Sequence, residues 1–376
     1  MEHFLLITFL IALRQFYSTN KFASCNLRIL LRPPISERTP ELPIGVPKIL
    51  LWTKVFEKNY ATSMNSQQEG MNCTYKCHFA HRETMSEYEA DAVIFHLRDL
   101  MPDKSHLPVY RGQNQKYIAM TRESPVNSGK AYKSLAPGFI NATMDYRRNA
   151  TYTFGYGRFS KIASDNDRRR VHTITESQLE EIVSSKKKLL LIFVSNCHTH
   201  SKREAYIEEL SKHANVTIVG KCAKNASVSC DKRIGKKSDG CEEKLYNEHY
   251  FFLAFENSVC DDYVSEKFYS GFNSVHVVLW RRIMQKLVPE EAFIAADDFA
   301  SPRELGILFA DNPPLYKKHL SWINDYNINF PNIGICDLCR DLHLKSSSQS
   351  QTIDALEHFS EDQCEADVGL KLIGRM

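Results

Sequence analysis

Short apolar runs alternate with segments of helical periodicity along most of the chain. The runs carry apolar residues at consecutive positions, which is typical of strands covered on both faces by helices. The pattern predicts strands at Lys48–Trp52, Asp91–His96, Lys116–Met120, Leu189–Val194, Val216–Gly220, Tyr250–Ala254, Val275–Leu279 and Ala292–Ala295. It predicts helices over Ser201–His213 and from Ser301, where Pro302 and Glu304 complete a helix-start signal. This alternation indicates an α/β protein.

A polar, charged break at Asp165–Arg170 separates two sets of these units. We therefore predict two Rossmann-like, doubly wound domains that face each other across a cleft, with the functional site at the carboxyl ends of the strands. A low-complexity run, Lys345–Gln351, opens a tail that we expect to be disordered. The predicted division is a signal sequence or short anchor (1–25), a Pro-rich stem or linker (26–47), an N-terminal domain (48–172), a C-terminal domain (173–344) and the tail (345–376).

The N-terminal apolar run, Phe4–Leu13, is interrupted only by Thr8. It is too short to span a bilayer core, which needs about 20 apolar residues. The run fits the core of a signal peptide or a truncated anchor, and a buried N-terminal helix or strand is the structural alternative. Glu2 precedes the run and Arg14 follows it, a charge arrangement that is atypical for a signal or an anchor.

Charge and cysteine content narrow the classes of protein. The 376 residues carry 48 Lys and Arg against 45 Asp and Glu, and a net charge of +3 gives no footprint for nucleic acid. Eleven cysteines favour a compartment that permits disulfides, and because the number is odd at least one is unpaired. Glycosylation sequons, which agree with secretory passage, occur at Asn72, Asn141, Asn149, Asn215 and Asn225. A luminal location follows, and membrane attachment stays open.

The densest group of chemically active side chains lies in Phe251–Lys267, where a buried-type strand leads into polar and ionisable residues. In an open α/β sheet, ligand contacts lie where strands end in this way. A diphosphate-sugar needs a cation for its phosphates, acceptors for its hydroxyls and a flat group beside its ring. In this segment Lys267 is the candidate cation, Glu256 or Glu266 the acceptor, and Tyr263 the flat group. A helix cap with a solvated first turn is the alternative interpretation.

This segment, AFENSVCDDYVSEK, resembles the donor-site motif of the α1,3-fucosyltransferase family, roughly FENSxCxDYxTEK. Downstream, AFIAADDFASPRELG and the final CDLC resemble further family blocks. Upstream, ADAVIFHLRDL, YIAMTRESPVN and FINATMDYRRNATYTFGYGRF resemble its N-terminal elements. The resemblance covers roughly Lys48 to His343, and the cysteine pattern of the second half is more similar to the invertebrate and plant branch than to the vertebrate enzymes.

The resemblance implies an inverting enzyme with a GT-B-type fold that moves L-fucose from GDP-fucose to a hydroxyl of N-acetylglucosamine in a glycan of a glycoprotein. It implies a Golgi lumen location with type II membrane attachment, or a secreted form. The first domain would bind the acceptor and the second would bind GDP-fucose. GDP-fucose would be the donor substrate, no tightly bound cofactor is expected, and stimulation by Mn2+ stays open.

Such a displacement needs a general base for the acceptor hydroxyl and fixed cations for the diphosphate. By its place in the family's ESP motif, Glu123 is the expected base, and a turn residue is the alternative. Arg203 matches the family's phosphate-binding arginine and Lys267 is the second cation. The remaining expected donor contacts are Ser195, Asn196, Glu256, Asn257, Tyr263 and Glu266.

Three short clusters of Asp, Cys and His residues have the composition of metal sites. Asp165-Asn166-Asp167 has the DxD form with which another glycosyltransferase fold holds manganese, but so short a pattern in a charged loop is common. Two groups have the residue types of a zinc site. One is Cys73, Cys77, His78 and His81 with the distant Cys336 and Cys339, and the other is Cys197–His200. The resemblance instead implies that Cys73 and Cys77 pair with Cys336 and Cys339, so no metal ligand is expected.

The chain departs from the family pattern at three places. FYSGFNSVH replaces a longer segment with an Arg-Asn pair, and Gly271 weakens the expected helix there. Trp280 stands where a glycine normally lets the backbone approach the donor, and Ala142 replaces a tryptophan. A weakly active or non-catalytic luminal homologue that binds a glycan or nucleotide is therefore the alternative function, and a different GDP-sugar donor is a third.

Overall fold

The structure is a computed structural model of the chain. It describes residues 45–101, 106–162, 174–223, 230, 240–311, 313–329, 333–345 and 353–374. The predicted signal or anchor, most of the Pro-rich stretch and the polar break at Asp165–Arg170 lie outside these ranges. No helix within the described ranges combines the length and the apolar character that crossing a membrane requires.

A six-stranded sheet forms the core of the first half. Its strands are β1 (Lys48–Leu51), β2 (His78–His81), β3 (Ala92–His96), β4 (Lys116–Met120), β5 (Ala142–Asp145) and β6 (Tyr152–Thr153). They pair in parallel in the order β2-β1-β3-β4-β5-β6. Both faces of the sheet are buried, because alternate residues of β3 enter two separate apolar clusters. This explains why the strands show continuous apolar runs.

The second half contains a five-stranded parallel sheet. Its strands are β8 (Lys188–Phe193), β9 (Val216–Val219), β10 (His249–Leu253), β12 (Val275–Val278) and β13 (Phe293–Ala295), in the order β13-β12-β10-β8-β9. Two small antiparallel pairs complete the strands: β7 (Arg158–Lys161) with β14 (Tyr326–Asn329), and β11 (Val259–Cys260) with β15 (Cys364–Glu365).

Both parallel sheets use the same strand order. Numbered within each sheet, the order begins 2-1-3-4-5, so the direction of winding reverses between the first and third strands. The crevice at such a reversal, beyond the carboxyl ends of the strands, is where open α/β sheets bind ligands. These points lie between β1 and β3 in the first sheet and between β8 and β10 in the second. The expectation of two Rossmann-like α/β domains is confirmed.

Helices cover the sheets and connect their strands. They are α1 (Ala61–Gly70), α2 (Glu176–Ser185), α3 (Arg203–Leu210), α4 (Cys241–Glu248), α5 (Arg281–Met284), α6 (Pro302–Asp311), α7 (Pro313–Lys318), α8 (Ile333–His343), α9 (Ala355–His358) and α10 (Val368–Ile373). The predicted start of α6 is confirmed, because the Glu304 amide donates to Ser301 Oγ over 3.3 Å. The Glu304 carboxylate accepts from the Ala300 amide at 2.7 Å, one residue earlier than a standard capping box.

The end of the chain differs from the prediction in two ways. Helix α8, assigned by sequence to the second domain, packs against the first sheet through Ile335, Leu338 and Cys339. The expectation of a disordered tail over 345–376 is wrong for 353–374, which contain α9, β15 and α10. A few well-placed apolar residues, such as the buried Phe359, anchor this segment although its overall composition is polar and acidic.

Five disulfides join the described cysteines. Cys73 is bonded to Cys336 and Cys77 to Cys339, as the resemblance implies, and these two bonds hold α8 against the first domain. The remaining bonds are Cys197–Cys222, Cys230–Cys241 and Cys260–Cys364. The eleventh cysteine, Cys25, lies outside the described residues. Because the cysteines considered as zinc ligands form disulfides, they are not available to bind zinc.

Candidate active site

The carboxyl end of β10 carries the first part of the candidate site. Glu256 follows the strand and is buried. Its Oε1 accepts from the Ser265 amide at 2.7 Å and its Oε2 accepts from Ser265 Oγ at 2.8 Å. The Glu256 carboxylate therefore holds the turn that precedes Lys267. This contact gives Glu256 a role in ordering the cation next to it.

Lys267 lies between carboxylates. Its Nζ is 3.1 Å from Glu266 Oε1, 3.6 Å from Glu256 Oε2 and 3.1 Å from Ser265 Oγ. Burial disfavours the charged ammonium, but the two carboxylates outweigh burial and raise the pKa of Lys267 above its usual value. In the same way, burial opposes the charge of Glu266, yet Lys267 lowers the pKa of that carboxyl. Lys267 is therefore a fixed positive charge.

The carboxyl end of β8, on the other side of the switch point, carries Ser195 and Asn196, both of which are exposed. The loop that follows leads to Arg203, the first residue of α3, whose side chain is buried. The Arg203 guanidinium donates to the backbone oxygens of Phe255 and Asn196. Arg203 thus lies between the ends of β8 and β10, where the resemblance implies a phosphate.

Arg203 has an unsatisfied donor. Its buried Nε–H has no hydrogen-bond partner among the described residues. A buried donor of this kind costs free energy unless a ligand accepts a hydrogen bond from it. Burial lowers the pKa of Arg203, while Glu256 and Glu204 act in the opposite direction. An anion placed beside this guanidinium would satisfy the donor and support its charge.

Glu123 lies at the carboxyl edge of the first sheet. It follows β4, and its amide donates to Thr121 Oγ1 at 3.1 Å. Burial raises the pKa of the Glu123 carboxyl and Glu266 adds to that effect, whereas Arg98 and Lys267 lower it. A carboxylate with a raised pKa is suited to accept a proton. The interactions with Glu266 and Lys267 bring the expected base and the expected donor residues into one electrostatic environment.

Hydrogen bonds join the ESP and ENS segments directly. Ser124 Oγ donates to Ser258 Oγ at 2.9 Å, and both residues are fully buried. Asn127 Nδ2 donates to Ser258 Oγ at 2.9 Å and to Ser124 Oγ at 3.0 Å. Ser258 in turn donates to Asn257 Oδ1 at 3.1 Å. The residue after the expected base is therefore fixed to the loop that carries the expected donor contacts.

Tyr263 completes the contact between the two halves. It is buried, and its ring packs edge-on against Tyr146 with centroids 5.1 Å apart. Burial raises the pKa of the Tyr263 hydroxyl well above its usual value, and the nearby carboxylates Glu123 and Glu256 act in the same direction. Tyr263 therefore contributes a neutral hydroxyl and an aromatic ring at the junction.

Three residues of the first domain, His96, Arg98 and Asp99, were not predicted from the sequence as part of the site. His96 ends β3 at the switch point, and its Nδ1 lies 2.6 Å from Asp99 Oδ2. Arg98 lies over the Phe56 ring, 5.0 Å from its centroid, and His96 and Arg98 both act electrostatically on Glu123. The signal was the run FHLRD, where charged residues directly follow a buried strand.

The departures from the family pattern have local explanations. The segment after Lys267 forms turns rather than the expected helix, and Gly271 has a φ of +70°. A Cβ at Gly271 would lie 2.1 Å from the Tyr246 ring, so this turn requires glycine. Trp280 is half-buried and packs against the apolar core of the second sheet. Ala142 is buried within β5 in the apolar cluster of the first sheet.

The described residues contain no group of three or more His, Cys, Asp or Glu side chains arranged to hold a metal ion. The Asp165–Asp167 pattern lies outside them. Of the sequons, Asn72, Asn149 and Asn215 are exposed. Asn141 is half-buried and its Oδ1 accepts from the Tyr117 amide at 2.8 Å, while Asn225 lies outside the described residues.

Two family models match the chain over most of its described length. "Fucosyltransferase, N-terminal" matches residues 45–157, and "Glycosyltransferase family 10 (fucosyltransferase) C-term" matches residues 183–359. The chain belongs to glycosyltransferase family 10. The first match contains Glu123 and the second contains Arg203 and Lys267, so the family 10 matches include both halves of the candidate site.

Individual members of family 10 show moderate identity. The chain is 30% identical over 270 residues to alpha-(1,3)-fucosyltransferase fut-1 of Caenorhabditis elegans, covering 68% of this chain but only 59% of that protein. It is 29% identical over 319 residues to Drosophila melanogaster alpha-(1,3)-fucosyltransferase C, covering 78% and 73%. It is 30% identical over 320 residues to rat 4-galactosyl-N-acetylglucosaminide 3-alpha-L-fucosyltransferase 9, covering 83% and 81%. Such similar identities do not decide the predicted branch.

A solved structure titled "Crystal Structure of alpha1,3-Fucosyltransferase" aligns over 73% of this chain and 82% of that chain. The TM-score is 0.49 and the sequence identity is 14%. A second, "with GDP-fucose", aligns over 77% and 84%, with a TM-score of 0.47 and 14% identity.

Proposed function

We propose that this chain is an inverting α1,3-fucosyltransferase that moves L-fucose from GDP-fucose to a hydroxyl of N-acetylglucosamine in a glycan. The hydrogen bonds from Ser124 and Asn127 to Ser258 carry this proposal. They join the segment of the expected base to the segment of the expected donor contacts. Membership of family 10 and the names of its relatives support the same reaction.

The geometry supports a division of roles. Glu123 would accept the proton of the acceptor hydroxyl as that oxygen attacks the anomeric carbon of fucose. The raised pKa of Glu123 supports this role, because a stronger base takes the proton more readily. Lys267 and Arg203 would stabilise the negative charge that develops on the departing diphosphate. Water is limited at the junction because Ser124, Ser258 and Tyr263 are buried.

The second domain would bind the donor and the first domain the acceptor. Ser195, Asn196, Asn257 and Glu266 lie near the switch point of the second sheet, where an open α/β sheet takes its ligand. The disulfides support an oxidising compartment, and we propose the Golgi lumen. The exposed sequons, Asn72, Asn149 and Asn215, are the proposed glycosylation sites of the described part.

The proposal is tested by transfer of labelled fucose from GDP-fucose by the full chain purified from a secretory host. The acceptors are core and antennal N-glycans, each with and without Mn2+, and a second GDP-sugar is offered in parallel. Fucosylated product on one acceptor class supports the proposal and defines the acceptor. GDP binding without product would favour the non-catalytic alternative. Preferred transfer of the second sugar would show that a different GDP-sugar is the donor.

A further inference from the structure

The C-terminal strap, residues 353–374, contacts both halves of the molecule. Its first part lies on the first domain, where Tyr132 OH donates to the Phe359 carbonyl oxygen at 2.7 Å. There His358 Nε2 is 2.8 Å from Asp145 Oδ2, and this carboxylate is fully buried. Its second part lies on the second domain, where Val368 and Leu372 are buried in the apolar core.

The strap is attached beside the candidate donor site. Cys364 is bonded to Cys260, two residues after Ser258, and the Asp261 amide donates to the Gln363 carbonyl oxygen at 3.0 Å. These bonds fix the start of the strap's second part to β11 and to the residue that follows it. They also determine where α10 lies.

Helix α10 rests on the loop that precedes Arg203. The Asp367 amide donates to the His200 carbonyl oxygen at 3.0 Å, and the Gly369 amide donates to the Ser201 carbonyl oxygen at 2.7 Å. From the other side, Ser201 Oγ donates to the Glu256 carbonyl oxygen at 2.7 Å. The loop is therefore held between the strap and the end of β10.

The contact at Gly369 leaves no room for a side chain. A Cβ at this position would lie 2.1 Å from the Lys202 carbonyl oxygen and 3.2 Å from the Arg203 amide nitrogen. Both atoms belong to the backbone, so an added methyl group must displace the Lys202–Arg203 peptide or the helix. Lys202 has a φ of +52°, a conformation that non-glycine residues adopt only when their surroundings enforce it.

We propose that the C-terminal strap, through Gly369 and the Cys260–Cys364 bond, positions Arg203 for the diphosphate of a nucleoside diphosphate donor. The strap does not itself touch the donor in this assignment. It fixes the backbone from which Arg203 extends, and an error of about 1 Å in the placement of such a group is costly. The inference rests on the proposed function, because it assumes that Arg203 binds a diphosphate.

The decisive variant is Gly369→Ala in the full chain, compared with Gly374→Ala in the same segment. Among the described residues, a Cβ at Gly374 would meet only the Leu370 carbonyl oxygen, at an ordinary 3.5 Å. We expect Gly369→Ala to raise the Kd for GDP and the KM for the donor by about tenfold or more. The acceptor KM should stay within about twofold, because the base and its loop are not displaced. Gly374→Ala should bind GDP like the wild type.

Calorimetric GDP affinity, donor and acceptor saturation and the unfolding temperature are measured on each variant. A lower unfolding temperature with unchanged GDP affinity would reduce the strap to a stabilising element and overturn the inference. If Gly369→Ala does not fold, the double variant Cys260→Ser/Cys364→Ser replaces it, with Cys230→Ser/Cys241→Ser as the control for loss of a disulfide. Weaker GDP binding in the first double variant alone supports the inference, and equal binding in both overturns it. If the wild type binds no GDP, the proposed function itself fails.

Discussion

The two parallel sheets have the same strand order, but their carboxyl edges are built from residues that are arranged differently in the sequence. In the second sheet, Glu256, Glu266 and Lys267 come from one continuous stretch and hold one another through short contacts. In the first sheet, Arg98 and Glu123 come from the ends of separate strands and interact through charge. The cluster around Lys267 is built by local sequence, whereas the edge around Glu123 is assembled by the fold.

This difference separates two kinds of functional residue. A local cluster holds its charges through contacts within one stretch of chain, so it is suited to hold a charged donor. An assembled edge depends on the order of the strands in its sheet, so residues that are distant in sequence can act together on the base. Changes at the two edges should therefore affect different measured quantities: the first edge should affect turnover and the second should affect donor binding.

The largest effect is expected from Glu123→Gln. The change removes the proton acceptor and keeps the shape of the side chain, so transfer should fall by about 10²- to 10⁴-fold while GDP affinity changes little. Single-turnover transfer and calorimetric GDP binding measure the two quantities. Glu180→Gln, on the exposed face of α2, is the matched control. Retained transfer in Glu123→Gln would remove Glu123 from the role of base.

The next effect is expected from Lys267→Ala. Loss of the cation leaves Glu256 and Glu266 facing the diphosphate, so the Kd for GDP and the donor KM should rise by about 10²-fold. The control, Lys212→Ala, removes a lysine that pairs with Glu209 at the solvent-exposed end of α3. Donor saturation that is the same in both variants would place Lys267 outside the donor site.

The same difference explains what the sequence could predict. Continuous apolar runs located eight of the eleven described parallel strands but missed β2, β5 and β6, which are short and carry polar residues. The contiguous segment Phe251–Lys267 identified the donor edge, because its residues are neighbours in sequence as well as in space. His96 and Arg98 were missed because only the order of the sheet brings them beside Glu123. The strap was missed because its role depends on a distant cysteine, Cys260, and on one glycine contact rather than on composition.

A smaller effect is expected from Ser124→Ala, which tests how the two edges are joined. The variant loses the bond to Ser258 but keeps the one from Asn127, so kcat/KM should fall by about five- to tenfold. GDP affinity should stay near the wild-type value, because Lys267 and Arg203 keep their contacts. Ser184→Ala, whose hydroxyl donates to the Glu181 carbonyl oxygen within α2, controls for the loss of a hydroxyl. A selective rise in the Kd for GDP would instead assign this bond to donor binding.

The smallest effect is expected from Arg98→Gln, and it appears as a shift in pH dependence. Arg98 lowers the pKa of Glu123, so removal of its charge should raise that pKa. Because only the ionised carboxylate accepts a proton, the acid limb of kcat/KM should move to higher pH, by less than about one unit. Arg340→Gln, which removes an exposed arginine paired with Asp337, should leave the limb in place. A limb that stays in place in Arg98→Gln, or moves equally in both variants, would show that the Arg98 charge does not act on the base. The first edge would then contribute shape rather than electrostatics.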